Sequence, residues 1–186
     1  MSPVADRARL LELLRTLSFE QRKVVLASGK ESDFYVDCKR TALTAEGHVL
    51  VGRCLLEEVL KVTPLVRGVG GLTLGADPIA SAIAFASFLA GQPVDAFIVR
   101  KEPKGHGTGQ WIEGRKTIPD GSRVIVLEDV VTTGGSALKA IERCRAERLE
   151  VVACLALVDR LEGGREAIEA TGVPLRALFT RKDFIP

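Results

Sequence analysis

The chain has 186 residues, of which 46% are hydrophobic and 27% charged. That suits one domain (1–186) with a real core and is the wrong composition for a disordered chain. Lys plus Arg number 26 against 24 Asp plus Glu, for a net +2, which excludes a general pull toward nucleic acid or an anionic membrane; any anion site must be local. The four cysteines, Cys38, Cys54, Cys144 and Cys154, form no C-x-x-C pair, and two histidines, His48 and His106, offer no structural zinc pattern. They are expected to be buried free thiols, which fits a reducing, cytoplasmic location. Met1 to Arg15 carries charges throughout and has no signal-peptide core. The most apolar run, Pro78 to Ala90, is shorter than the roughly 20 residues of a membrane span and is expected to be a buried helix.

In chain order, Leu10, Leu11, Leu13, Leu14 and Leu17 form a helical apolar stripe with Asp6 near its start. Lys23 to Ala27 is a short strand candidate, Ser28 to Asp33 a turn, and Phe34 to Cys38 alternates like a second strand. Thr44 can cap a helix running through Lys61, with Val49, Leu50, Leu56, Val59 and Leu60 as its apolar face. From there short apolar strands alternate with loops and helices: Leu65 to Val69, then a Gly-rich loop and the Pro78 helix; Val94 to Val99, then a long polar stretch; Arg123 to Leu127, then a Gly/Thr loop and a helix from about Ser136 to Glu147; Val151 to Val158, then a helix near Arg165 to Ala170; and Leu175 to Phe179. This alternation predicts an α/β fold with a parallel sheet covered on both faces. Ligands of such sheets bind beyond the carboxyl ends of the strands. The segment from Lys101 to Asp120, with Gly105, Gly107, Gly109 and Gly114, is a long loop of the kind compact domains keep for a use.

The strongest chemical signal follows the strand Val124-Ile125-Val126-Leu127. Glu128-Asp129 comes at once, then Val130-Val131-Thr132-Thr133-Gly134-Gly135-Ser136, then a helix. Backbone N–H groups of such a turn at a helix N-terminus form an anion nest, and the Thr and Ser hydroxyls add donors. The upstream carboxylates are badly placed for a phosphate but well placed to accept hydrogen bonds from sugar hydroxyls. A phosphorylated ribose would satisfy both halves. No Walker lysine and no G-x-G-x-x-G is present.

This segment resembles the phosphoribosyl-diphosphate signature of the type I phosphoribosyltransferases, and its wording is closest to the orotate enzymes of that family. The resemblance covers nearly the whole chain. Arg100-Lys101-Glu102-Pro103-Lys104-Gly105-His106-Gly107, continuing to Ile112-Glu113-Gly114, resembles the family's mobile catalytic loop, whose cations would converge on departing pyrophosphate. Ser28-Gly29-Lys30-Glu31-Ser32-Asp33-Phe34-Tyr35-Val36-Asp37 resembles its pyrimidine-binding segment. Arg160, at the end of the next strand in Val158-Asp159-Arg160-Leu161-Glu162, is a natural bidentate partner for the carboxylate that distinguishes orotate from uracil. Gly70 to Pro78 is a weaker match to the pyrophosphate loop: many members carry a lysine where this chain has Gly75, and another where it has Ala27.

The resemblance implies a five-stranded parallel sheet flanked by helices, with a small N-terminal hood from about residues 1–40. It implies transfer of the phosphoribosyl group of 5-phosphoribosyl 1-diphosphate to orotate, as a step of pyrimidine biosynthesis. Lys104, His106, Asp129 and Lys101 are the expected catalytic residues. Arg100, Lys101, Lys104, His106 and the run from Glu128 to Ser136 (Glu128, Asp129, Val130, Val131, Thr132, Thr133, Gly134, Gly135, Ser136) are expected to bind the diphosphate substrate. Lys30, Phe34, Tyr35, Thr132 and Arg160 are expected at orotate. Mg²⁺ is expected to bind mainly through substrate oxygens, and a homodimer is expected in which the loop serves the neighbouring subunit. A same-fold enzyme for another base and a non-catalytic ligand sensor that regulates transcription are the rivals; Arg160 argues against the first, the Lys104/His106 loop against the second.

Overall fold

Strand β6 (Arg123–Val131) shows how the sequence builds the molecule. Val124, Ile125, Val126 and Leu127 are fully buried, and strand alternation sends them to opposite layers. Ile125 and Leu127 join the apolar cluster of Leu10, Leu50 and Ile79, from helices α1 (Pro3–Leu13), α3 (Ala45–Val62) and α4 (Asp77–Leu89). Val124 and Val126 join Ala137 and Ile141 of α5 (Gly135–Ala146) and Ile168 of α6 (Gly164–Glu169). Each such aliphatic side chain contributes about 1.5–3 kcal/mol by leaving water, so the two-sided sheet is where the stability is made. The computed structural model describes residues 3–25, 31–62, 66–103 and 110–185.

Around β6 lie β3 (Gly68–Leu72), β4 (Asp95–Val99), β7 (Glu150–Asp159) and β8 (Leu175–Thr180). The sheet order is β5-β4-β3-β6-β7-β8, with β3, β4, β6, β7 and β8 parallel. The five expected parallel strands are therefore present. A sixth, β5 (Ile112–Glu113), comes from the long polar segment and pairs antiparallel with β4.

Several boundaries differ from the sequence expectation. β3 runs from Gly68 to Leu72 rather than Leu65 to Val69, so Gly70 and Gly71 are strand residues, not loop. A Cβ on either would stand 2.1 Å from a neighbouring strand's carbonyl oxygen, Phe97 O or Leu127 O; glycine here permits close approach. β6 continues four residues past Leu127 through pairing of Val130 with Val158 and Val131 with Asp159, which places Glu128 and Asp129 inside the strand. Helix α4 is not buried all round: Phe85, Phe88 and Leu89 are 59%, 73% and 70% exposed. Val49, assigned to the buried face of α3, is also exposed, whereas Thr44 does cap that helix by accepting from the Gly47 N–H at 3.0 Å.

Residues 3–25 and 31–42 form an N-terminal layer: α1, a π-helical turn at Leu14–Ser18, the antiparallel pair β1 (Phe19–Val25) and β2 (Glu31–Val36), and the short α2 (Lys39–Ala42). Both strands start earlier than expected. Phe34 is fully buried against Phe19 and Phe184, with ring centroids 5.1 and 5.5 Å away. The Arg15 Nε donates to the Asp183 carbonyl at 2.9 Å, and Arg7 donates to the Leu178 carbonyl. These contacts hold the layer to the end of β8.

Candidate functional site

The carboxyl end of β6 carries the turn toward α5. Gly134 has φ +83°, a left-handed conformation that glycine adopts without steric cost, and it reverses the chain into the helix. The Leu138 N–H donates to Gly134 O at 2.9 Å. Thr133, Gly135 and Ser136 are left exposed around a cavity of about 330 Å³, also lined by Glu128 and Lys139. The loop after β7 closes against this turn. The Arg160 N–H donates to Val131 O at 2.9 Å, and a Cβ on Gly164 would sit 2.6 Å from Thr132 O. The segment carrying Arg160 is thus locked in register with the Thr132–Ser136 turn.

The two acids behave differently, because consecutive strand residues face opposite sides. Glu128 is only 7% exposed, and its Oε2 finds no hydrogen-bond partner among the described residues. Burial, and then the charge of Asp129, push its carboxyl up to about 9. Its carboxyl therefore favours the neutral form at pH 7. Asp129 is partly open; its Oδ1 accepts from the Val130 N–H at 2.9 Å. On the hood side its Oδ2 lies 3.7 Å from Lys39 Nζ, and Lys39 also pairs with Asp37 at 2.7 Å. A Cβ on Gly75 would stand 2.6 Å from Asp129 Oδ1, so the loop after β3 presses directly on this carboxylate. Thr73 in that loop donates from its hydroxyl to Asp77 at 2.6 Å.

Arg160 is 6% exposed and is held by Glu162, which takes hydrogen bonds from Nε at 3.1 Å and Nη2 at 2.8 Å. Its neighbour Asp159 is engaged by Arg165 at 3.1 Å. The Arg160 guanidinium stands 5.5 Å from the Phe34 ring centroid, as does that of Arg181. Two of the residues expected at the base, Phe34 and Arg160, are brought together. Tyr35 is on the opposite face of β2 and lies beneath Arg22, 4.3 Å from its ring centroid, with Arg40 at 6.0 Å.

In the segment after β4, the Arg100 N–H donates to Trp111 O at 2.9 Å and its side chain pairs with Glu113 at 3.1 Å. Lys101 is exposed. Trp111 packs beneath Arg143, 3.6 Å from its ring centroid. Arg100, Lys101 and Thr73 border one cleft of about 500 Å³, which joins the loops after β3 and β4. Lys104, His106 and Lys30 lie outside the described residues. Among those described, no cluster of three or more His, Cys, Asp or Glu could hold a metal. All four cysteines are buried free thiols, as expected. Sequence reasoning passed over Lys39 and Lys139. Lys139 could have been found as a cation three residues into α5 from Ser136. Lys39 had no such signal, since its approach to Asp129 depends on how the hood docks.

The model of the phosphoribosyl transferase domain matches residues 69–173. A relative named orotate phosphoribosyltransferase from Sorangium cellulosum is 54% identical over 182 residues, covering 98% of this chain and 94% of that one. The crystal structure of Mycobacterium tuberculosis orotate phosphoribosyltransferase in complex with Fe(III) dicitrate superposes with a TM-score of 0.84 at 44% identity, covering 97% and 99% of the two chains. A crystal structure of the same enzyme in complex with 5-phospho-α-D-ribosyl 1-diphosphate gives 0.78 at 43% identity, over 96% and 98%.

Proposed function

The chain belongs to the orotate phosphoribosyltransferases, and from that premise we infer that it transfers the phosphoribosyl group of 5-phosphoribosyl 1-diphosphate to orotate, giving orotidine 5′-phosphate and pyrophosphate. The observation that carries this inference is the register between the Thr132–Ser136 turn and Arg160, fixed by the Arg160 N–H to Val131 O bond. It sets an anion nest beside a buried guanidinium, as a ribose phosphate joined to a carboxylated base requires.

In this reading the backbone N–H groups and hydroxyls of Thr132, Thr133, Gly134, Gly135 and Ser136 hold the 5′-phosphate, with Val130 and Val131 carrying the strand into the turn. Asp129 and Glu128 accept from the ribose hydroxyls, and Asp129 places negative charge near the cation-like anomeric carbon as pyrophosphate departs. Arg100, Lys101 and Lys104 neutralise the leaving group, and His106 supplies a proton. Arg160 receives the orotate carboxylate beside Phe34, with Lys30, Tyr35 and Thr132 completing the expected base-site set. Glu128 and Asp129 are hard oxygen donors, so they suit Mg²⁺ held chiefly by substrate oxygens and ordered through these acids. When bound, the ion supplies charge neutralisation on the diphosphate.

A homodimer in which the Lys104/His106 loop serves the neighbouring site fits the exposed apolar side chains of α4, which border a cavity of about 560 Å³ against α3. A second copy would cover them. The metabolic role and the cytoplasmic location follow from this reading; no helix among the described residues is long and apolar enough to cross a membrane.

Steady-state kinetics of Arg160→Ala test the assignment. Removing a buried charge partner costs about 2–5 kcal/mol, so the orotate KM should rise by about a hundredfold while the KM for the diphosphate substrate stays within about threefold. Equal losses for the two substrates would overturn the role given to Arg160.

A further inference from the structure

We propose that Lys39 is a positioning residue of the active site: through Asp129 it orders the carboxylate that receives the ribose of the diphosphate substrate. The proposal rests on the reading of Asp129 as a ribose acceptor and adds a residue to it.

Three observations carry it. First, Lys39 stands at the first position of α2, a helix of the N-terminal layer, yet its Nζ reaches within 3.7 Å of Asp129 Oδ2 at the end of a strand in the central sheet. Among the described residues it is the cation within ion-pair distance of this acid. Second, its direction is fixed. Asp37 Oδ1 takes the same ammonium at 2.7 Å and also accepts from the Lys39 backbone N–H at 3.2 Å. Asp37 therefore tethers both ends of the lysine. Burial works against the Lys39 charge, but the Asp37 and Asp129 carboxylates more than offset it and hold the ammonium above its ordinary value. Third, the loop after β3 comes close to the same carboxylate: a Cβ at Gly75 would lie 2.6 Å from Oδ1. Asp129 thus meets Lys39 at Oδ2 and the Val130 N–H at Oδ1, 2.9 Å away.

The consequence is specific. Without Lys39, Asp129 could rotate toward solvent, which would spoil a ribose acceptor. Lys39 is 41% exposed at its side chain, so its charge is not sealed from solvent. Its effect should fall on the phosphoribosyl substrate, because the Phe34–Arg160 cluster is built from other residues.

The test compares wild type, Lys39→Met, Lys39→Arg, Asp129→Asn and the Lys39→Met/Asp129→Asn double variant, each checked by thermal melting. Initial rates are measured with orotate, 5-phosphoribosyl 1-diphosphate and Mg²⁺. Lys39→Met should lower kcat/KM for the diphosphate substrate by about tenfold or more, with the orotate KM within about twofold, and Lys39→Arg should recover most of the loss. In the Asp129→Asn background the Lys39→Met change should have little further effect, because its target is gone. Additive losses, equal effects on both substrates, or no loss in Lys39→Met would overturn the proposal. An Asp129→Asn variant with wild-type kinetics would instead overturn the ribose role of Asp129, a distinguishable failure.

Discussion

Glu128 sits in the strand with one carboxylate oxygen unpartnered among the described residues and a carboxyl pushed up to about 9. An unfolded chain would lose that proton near the ordinary value of 4.5. Between these values the native protein binds more protons than the unfolded one, so this group's contribution to stability falls as pH rises. Glu128→Gln keeps the shape and removes the titration. Its melting temperature should match wild type near about pH 5 and exceed it by a few degrees near about pH 8.5. Parallel melting curves across that range would contradict the burial argument. In the proposed reading a substrate hydroxyl at Oε2 would satisfy the orphaned oxygen. The composition of the pair was legible in the sequence, but its asymmetry was not. Only the fold shows that Glu128 turns into the α5 layer while Asp129 meets Lys39.

At the scale of elements, the strand-turn-helix unit from β6 to α5 was readable because each part has a local cause: an apolar run, a left-handed glycine and a helix start rich in Gly, Ser and Thr. The extension of β6 to Val131 was hidden, since Glu128 and Asp129 look like loop residues until pairing with β7 supplies their backbone partners. The glycines of β3 misled for the opposite reason. Glycine is disfavoured in strands by propensity, but here close approach of Phe97 and Leu127 carbonyls decides. Gly134 has φ +83° and lies against Gly164 O. Gly134→Ala should therefore cost about 1–2 kcal/mol for the left-handed backbone alone. Urea unfolding with an unchanged m-value would report it, and the KM for the diphosphate substrate should rise in the same variant. Unchanged stability would show that the turn does not need this conformation. The site spanning loops after β3, β4, β6 and β7 was legible as separate motifs; which side chains meet, such as Phe34 with Arg160, depends on hood docking and was not.

For the whole molecule, the exposed Phe85, Phe88 and Leu89 of α4 are the feature that a single copy does not explain. The sequence read α4 as wholly buried because an all-round apolar helix belongs in a core or an interface, and patterning alone does not separate the two. If a second copy covers this face, Phe88→Glu should shift the protein from dimer to monomer in light scattering. It should also reduce activity sharply, because the Lys104/His106 loop would lose its neighbouring site. A dimer that survives the substitution with full activity would move the interface elsewhere. The central claim is that this molecule uses orotate as its base. The most direct measurement follows the ultraviolet absorbance of orotate with purified protein, 5-phosphoribosyl 1-diphosphate and Mg²⁺. Loss of absorbance that requires all three additions is the expected result. No loss with orotate, together with pyrophosphate release when a purine or uracil is supplied, would contradict it.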